Sequence, residues 1–555
     1  MRPPAPGAQW ALAGAILGWP LVAAWPLPLR FTTDILAAPD QEAATHIWGH
    51  WAAWTLGRVL DLQTTLMAWP DGVELLLIDP LNAWVAGPAT ALWGPAVGYN
   101  LLLYIGLVVA GCSGALLART LDAPPLPAAM LAATCPTLLA NAADGMTEGF
   151  LVGLVGCQLA LVVRASRGGQ RTALLGAAVC LGATAWTGPY NAVWALTLDG
   201  AWLGWSLARR DRAGAKSTAL AMLMGGVLMA PVAHGIFTRR ADSLPGGTAR
   251  AGLPEIVDAS QIFRGGVRTG ADMLDLWLPG PLTGGEADPS HTAYLGLGVL
   301  ILATVAAARD RRLRPWLAAA LTMAALALGP WLYWKGTVVE VLGRPLAGPA
   351  GVLMLLVSPL ARLTRWYRAA AVASLLLAPL AARALTHLPR PLRLPVFVVI
   401  LADLLLLAPM SWPLHHTPPP APWPIEGPGA VLELPPVTTG QPPSGAWRDV
   451  GALAQVQHGR PVGGSFMNLG QSQAARAATA RLREGFRDNT VSETTLIELQ
   501  GSGFRWVAVH RRHFTMPERS IATLKCSGLV VVDTADALVV DLTGPRGAEC
   551  AGPTH

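Results

Sequence analysis

The sequence predicts an α-helical polytopic membrane protein of about eleven transmembrane helices, followed by a small C-terminal α/β domain outside the cytoplasm. Three observations carry this reading. Only 13% of the 555 residues are charged and 52% are hydrophobic. A soluble chain carries about 25% charged residues, and half that density cannot coat a water-soluble body of this size. Apolar stretches long enough to cross a hydrocarbon core, roughly 20 residues each, recur along most of the chain. Finally, 22 Trp stand against 9 Phe, and Trp favours the membrane–water interface. Together these exclude a cytosolic enzyme, a nucleic-acid-binding protein and a disordered chain. The formal charge of +6 is carried by Arg, since only Lys216, Lys335 and Lys525 are lysine. That reflects base composition and is no signature of nucleic-acid binding.

The candidate spans are 9–28, 98–119, 126–142, 149–164, 172–187, 189–207, 217–237, 292–308, 316–332, 366–385 and 394–411. Several contain Pro, which a membrane helix tolerates when neighbours satisfy the freed carbonyls. The first span has Pro20 in its middle and leads into further spans, so it reads as a helix that is kept and not as a cleaved signal peptide. Residues 345–361 are apolar but interrupted by Pro345, Pro349 and Pro359, and are expected to re-enter or lie at the interface. Basic residues set the orientation. With the N-terminus in the cytoplasm, the inside segments carry 16 basic residues against the three acids Asp122, Asp211 and Asp310. The first outside loop, 29–97, holds Arg30 and Arg58 against seven acids. Eleven spans place residues 412–555 outside.

That tail opens with a Pro-rich linker, 412–428, and continues as an α/β domain, 429–555. Strands are expected at 429–434, 504–509 and 529–541, and a helix at 473–487. Cys112, Cys135, Cys157 and Cys180 fall in apolar stretches and read as packing residues. Cys526 and Cys550 are able to pair if the tail is exported.

Polar groups that solubility does not require gather on the outside face. In the first loop a helix is expected to begin near Asp40, placing Glu42, His46 and His50 at i, i+4 and i+8 on one face. The plainer reading is an interfacial helix whose polar face meets water. The alternative is a divalent metal held by Glu42, His46 and His50, and no other cofactor is indicated. Further along lie Asn141, Asp144 and Glu148 at one junction, and Tyr190 and Asn191 at the next. Arg362, Arg365 and Arg368 flank Trp366 and Tyr367, where they would either anchor to headgroups or neutralise a lipid phosphate. Asp199 and Asp403 lie within spans, and a hydrogen bond inside the bundle is the favoured reading of each.

The order of features resembles the bacterial GT-C superfamily of polytopic glycosyltransferase-like proteins, in a branch with a C-terminal periplasmic domain. The likeness covers nearly the whole chain. It runs through HIWGHWAAW (His46–Trp54), WPDGVELLLIDPLNAWVAGP (Trp69–Pro88), NAADGMTEG (Asn141–Gly149), AWTGPYNAVWAL (Ala185–Leu196), LTRWYRAAAVASLLLAPLA (Leu363–Ala381) and GFRWVAVHR (Gly503–Arg511). The resemblance implies an inner-membrane protein with a polyprenyl-phosphate sugar as donor and an acid of the first outside loop as catalytic base. Asp40 or Glu42 would take the proton of the acceptor hydroxyl, with inversion at the anomeric carbon. Arg365 or Arg368 would hold the lipid phosphate. Asp144, Glu148 and Tyr190, with His46 and His50, would line the substrate pocket. The family's adjacent Asp-Glu pair is replaced here by Asp40-Gln41-Glu42.

Three functions follow in order of preference. The first is an inner-membrane glycosyltransferase acting on a periplasmic glycan, lipid or protein acceptor. The second is a non-catalytic scaffold of the same fold that binds lipid-linked glycans. The third is a transporter, disfavoured because no inverted repeat is evident. Membrane lipids are expected partners, and nucleic acid is not.

Overall fold

The structure is a computed structural model. It describes residues 6–38, 43–60, 62–67, 69–70, 72–75, 77, 79–168, 170–243, 270–280, 292–357, 360, 363, 365–410, 412–434, 446–463, 493–511 and 516–544. Two compact units emerge. One comprises Met1–Phe31, Asn100–His234 and Arg250–His416; the other comprises Thr32–Tyr99, Gly235–Ala249 and Thr417–His555.

The first unit is a helical bundle. Each of the eleven apolar segments falls largely on helix, among them Pro6–Ala23, Pro95–Thr120, Arg171–Thr187, Pro189–Ala208, Leu297–Arg309 and Arg314–Ala327. Prolines mark many starts: Pro80, Pro95, Pro125, Pro136, Pro189 and Pro349 each open a helix. A first-turn proline loses no bond, because its missing N–H would have had no intrahelical partner. Pro136 also splits the expected 126–142 span into Pro125–Ala133 and Pro136–Ala143. Among the described residues, five helices are long and apolar enough to cross a membrane: Pro95–Thr120, Pro125–Ala143, Thr147–Gly168, Arg212–Gly235 and Trp366–Leu385. The doubtful 345–361 stretch yields the eight-residue helix Pro349–Leu356. At 1.5 Å per residue that reaches about 12 Å, too little to cross the core.

Burial ranks these helices. Trp366–Leu385 is 94% buried within its apolar window, whereas Arg212–Gly235 is only 22% buried. The first is the bundle's centre, with Pro125–Ala133, Leu297–Arg309 and Arg314–Ala327 packed on it. The second turns Leu223 and Val227 outward, as a helix facing lipid would. Close approach elsewhere depends on small residues. A Cβ on Gly106 would sit 2.6 Å from the Phe150 carbonyl oxygen, and one on Gly153 would sit 2.6 Å from the Ala110 nitrogen. Gly114, spaced four and eight residues from Ala110 and Gly106, meets the Ala128 backbone in the same way. Gly114→Leu should therefore prevent normal assembly of the bundle. The check is a loss of the monodisperse peak in detergent chromatography, against an unchanged profile for Gly200→Leu, whose Cβ would meet nothing within 4 Å.

Both acids expected within spans are internally bonded. Gln158 Nε2 donates to Asp199 Oδ2 at 2.6 Å. Asp403 accepts from the Tyr294 hydroxyl at 2.6 Å and from the Gly298 N–H at 3.0 Å. The sequence offered no partner for Asp403. The structure shows it satisfying an orphan donor in the first turn of the Leu297–Arg309 helix.

The second unit has a four-stranded sheet in the order Ala430–Leu434, Phe504–His510, Ala537–Asp541, Leu529–Asp533. The first pair is parallel and the other two are antiparallel. Leu432, Leu434, Val507, Val509, Leu538 and Val540 point into the core with Leu496, Leu499 and Leu524. The helices are Ala446–His458, Glu493–Gly501 and Glu518–Ser527. The single strand expected over 529–541 is a hairpin. Thr534 turns the chain, its hydroxyl accepting from the Asp536 and Ala537 N–H groups. The helix expected at 473–487 lies outside the described residues. Residues 32–99, the first outside loop of the sequence reading with its flanks, cluster with this unit. Trp69 packs against the sheet core and donates to the Ser502 carbonyl at 2.9 Å, and Trp48 donates to Gln455 Oε1 at 2.6 Å. Cys112, Cys135, Cys157 and Cys180 are free and at least half-buried. Cys526 is disulfide-bonded, and Cys550 lies outside the described residues.

Candidate functional site

In the helical unit, three loops bring the nominated polar residues together. Gly145, at a φ of +78°, turns the chain after Asp144, and a 3-10 turn, Thr147–Val152, then presents Glu148. Gly188, at a φ of +158°, breaks the next helical pair just before Tyr190. Asn191 fixes this corner by donating to the Glu148 carbonyl and to the Thr187 hydroxyl, both at 3.1 Å. The third contribution is the turn Trp366–Arg368 that leads into the central helix.

The result is a buried ion pair. Arg368 Nη1 lies 2.8 Å from Glu148 Oε1, with side-chain exposures of 4% and 5%. The Arg368 guanidinium stands 4.9 Å from the centre of the Tyr190 ring. Arg368 Nε and Nη2 and Glu148 Oε2 have no hydrogen-bond partner among the described residues. Arg365 donates to the Tyr367 hydroxyl at 3.3 Å, and Asp144 is buried within electrostatic reach of that same hydroxyl. Trp366 backs the turn through an edge-on contact with Trp194, ring centres 5.4 Å apart. Glu148 and Tyr190 were nominated for the substrate pocket and Arg368 for the phosphate, and the structure places all three in one contact. Tyr367 joins them, a residue noted in the sequence only as a neighbour of arginines.

The second unit carries a separate cluster. His46 and His50 sit one turn apart on the helix Ala43–Leu56, 7% and 1% exposed. They do not meet water, as the plainer reading of that helix had it. Both turn towards Asp79, the fully buried residue at the start of the helix Pro80–Trp93. His50 Nε2 is 2.9 Å from Asp79 Oδ2 and His46 Nδ1 is 3.7 Å from the same oxygen. Asn82 Nδ2 also donates to it, at 3.2 Å. Burial by itself would raise the Asp79 carboxyl, but the neighbouring His50 and His46 outweigh that and hold it well below the usual carboxylate range. The sequence reading missed Asp79. An Asp-Pro pair opening a helix was the available signal, though nothing local ties it to histidines 29 and 33 residues earlier. Asp40 and Glu42, the nominated bases, lie outside the described residues.

A third buried group lies on the far face of the sheet. Glu433 pairs in register with Ala508, so His510, two residues on, shares its face. His458 Nε2 lies 3.8 Å from Glu433 Oε1, too far for a hydrogen bond, and Trp423 stacks on His458 with ring centres 5.8 Å apart. Burial first, then Arg460 and His510, pulls the His458 imidazole down to about 3. Burial lifts the Glu433 carboxyl well above its usual range.

These two shifts act on stability in opposite windows. A histidine depressed in the fold from 6.5 is protonated first in the unfolded chain, so its contribution is whole above 6.5 and is lost as pH falls towards 3. An acid raised in the fold from 4.5 ionises first in the unfolded chain, so its cost is absent below 4.5 and grows as pH rises. Glu433→Gln should raise the thermal midpoint near pH 8 and leave it almost unchanged at pH 4. Each kcal/mol recovered is worth roughly 2–4 °C, readable by tryptophan fluorescence.

No family model and no curated protein matches the chain. Among solved structures it is similar to ArnT from Cupriavidus metallidurans bound to undecaprenyl phosphate, with 12% identity over 99% of this chain and 100% of that one, at a TM-score of 0.51. ArnT in the apo state aligns over the same shares with 14% identity and a TM-score of 0.45. The archaeal oligosaccharyltransferase AglB from Archaeoglobus fulgidus, in complex with an inhibitory peptide and a dolichol-phosphate, aligns with 12% identity over 91% of this chain and 70% of that one, at 0.41. The fold likeness rests on the first of these. The chain's fold is therefore like that of this ArnT structure.

Proposed function

We propose that this GT-C-like chain is an inner-membrane glycosyltransferase that moves a sugar from a polyprenyl-phosphate donor to a periplasmic glycan, lipid or protein. Its N-terminus would lie in the cytoplasm and its second unit outside. The observation that carries the reading is the buried guanidinium of Arg368, which has Nε and Nη2 unspent among the described residues. A desolvated arginine with a free donor edge suits a phosphate, whose oxygens accept bidentate N–H bonds. The ArnT structure holds a lipid phosphate of the proposed kind. Arg365, beside Tyr367, would add a second positive charge, and Tyr190, Asp144 and Glu148 would face the sugar or the acceptor.

The chemistry would be a single displacement. The carboxylate of Asp40 or Glu42 takes the proton of the acceptor hydroxyl, that oxygen bonds to the anomeric carbon with inversion, and the lipid phosphate leaves with the bonding pair. Arg368 would stabilise the charge gathering on the departing phosphate. One observation favours the scaffold reading instead: Glu148 already neutralises Arg368 at 2.8 Å. Sugar transfer by purified protein in lipid, assayed with a panel of synthetic polyprenyl-phosphate sugars, separates the two. Covalent transfer with any donor supports the enzyme. Binding of donors without turnover supports the scaffold.

A further inference from the structure

We infer that His46, His50 and Asp79 form a binding site for one divalent transition-metal ion of the Zn²⁺ type, joining the helices Ala43–Leu56 and Pro80–Trp93. The inference stands whether or not the chain transfers sugar.

Local sequence builds the donor set. Residues four apart on a helix share a face, so the two imidazoles project side by side, ring centres 6.3 Å apart. The partner helix approaches closely because Gly87 has no side chain. A Cβ there would sit 2.6 Å from the His50 carbonyl oxygen and 2.7 Å from Trp54 Cβ. That approach brings Asp79, at the start of the partner helix, against both histidines. Three ligand atoms, two nitrogens and one oxygen, then lie within 4.8 Å of one another on buried residues, and among the described residues no other such group of His, Cys, Asp and Glu occurs.

Distances favour an ion over a simple hydrogen-bonded triad. Both imidazoles aim at one oxygen. His50 is at bonding distance, 2.9 Å, but His46 at 3.7 Å is too far to donate. Ligands held about 2.0–2.1 Å from a tetrahedral ion stand roughly 3.3–3.4 Å apart. The two spacings to Asp79 straddle that value, and the third, between the imidazoles, is no more than 4.8 Å. Two imidazoles with one carboxylate suit a borderline ion; Mg²⁺ and Ca²⁺ prefer oxygen donors throughout.

The test is Co²⁺ and Zn²⁺ binding to the full-length protein in detergent, purified through a tag without histidine. His415→Ala and His416→Ala are included in the background, because that pair is exposed in the linker and could bind metal itself. Co²⁺ should bind one to one with d–d absorption of a low-coordinate site, and Zn²⁺ should displace it. His46→Ala leaves the His50–Asp79 bond in place, so it should fold yet bind at least ~100-fold more weakly. A chelator should lower the thermal midpoint of the parent, Zn²⁺ should restore it, and neither should move the midpoint of His46→Ala. Absence of saturable Co²⁺ binding in the parent, or equal binding by parent and folded His46→Ala, overturns the site. If His46→Ala fails to fold, Asp79→Asn, which keeps an acceptor for His50, takes its place with the same expectation.

Discussion

Arg368→Ala should be among the most damaging single changes in the bundle, for two separable reasons. It removes the donor edge proposed for the lipid phosphate, so transfer should fall to background. It also strands Glu148, whose carboxyl is 5% exposed and 2.8 Å from the lost guanidinium. Breaking a buried pair from one side costs about 3–5 kcal/mol, because an uncompensated charge remains. A paired variant, Glu148→Leu with Arg368→Met, separates the two effects. Replacing both ions with apolar groups of similar volume is often neutral for stability. Its thermal midpoint should therefore return close to that of the parent while transfer stays absent. A paired variant that regains stability and still transfers sugar would remove Arg368 from the phosphate site.

The double variant Asp40→Asn, Glu42→Gln should reduce transfer by about 10²–10⁴-fold, the usual worth of a positioned general base. Donor binding should persist, because the leaving phosphate is assigned to the arginines and not to these acids. The single variants then identify the base: one should reproduce the loss and the other should stay near the parent. Single-turnover rates with a pre-bound donor provide the reading. Transfer that survives the double variant would keep the enzyme and move its base out of the first loop.

Much of the helical scaffold was legible in the sequence. Apolar runs indicated the helices, whereas the prolines at positions 80, 95, 125, 136, 189 and 349, which open helices in the structure, were not read as starts. The proline-interrupted 345–361 stretch holds only the short helix Pro349–Leu356. What escaped was set by long-range contacts. The loop 32–99 belongs with residues 417–555 because Trp69 reaches Ser502, 433 positions away, and no local pattern encodes that. Asp403 lacked a visible partner because Tyr294 lies 109 positions earlier. The hairpin within 529–541 was hidden because its turn is made by Thr534 and Asp536, without the glycine or proline that usually signals one.

The candidate site shows the same division. Loops named from sequence do converge: Glu148, Tyr190 and Arg368 meet in one contact. Their pairing was not legible, because charge, spacing and aromaticity say which residues are reactive but not which are neighbours. Of the stripe expected in the first loop, His46 and His50 share a helix one turn apart, and Glu42 lies outside the described residues. The burial of the two imidazoles was not legible, because that depends on Asp79 arriving from the next helix.

The enclosure of the Trp366–Leu385 helix bears on how the protein is made. A ribosome delivers this segment after most of the helices that surround it, yet it is the member with the least surface left over for lipid. Its alanine-rich stretch, Ala369–Ala373 and Ala381–Ala384 among it, leaves small side chains where neighbouring helices pack. The central helix is thus translated after the three helices that pack on it, and the turn bearing Arg368 leads directly into it.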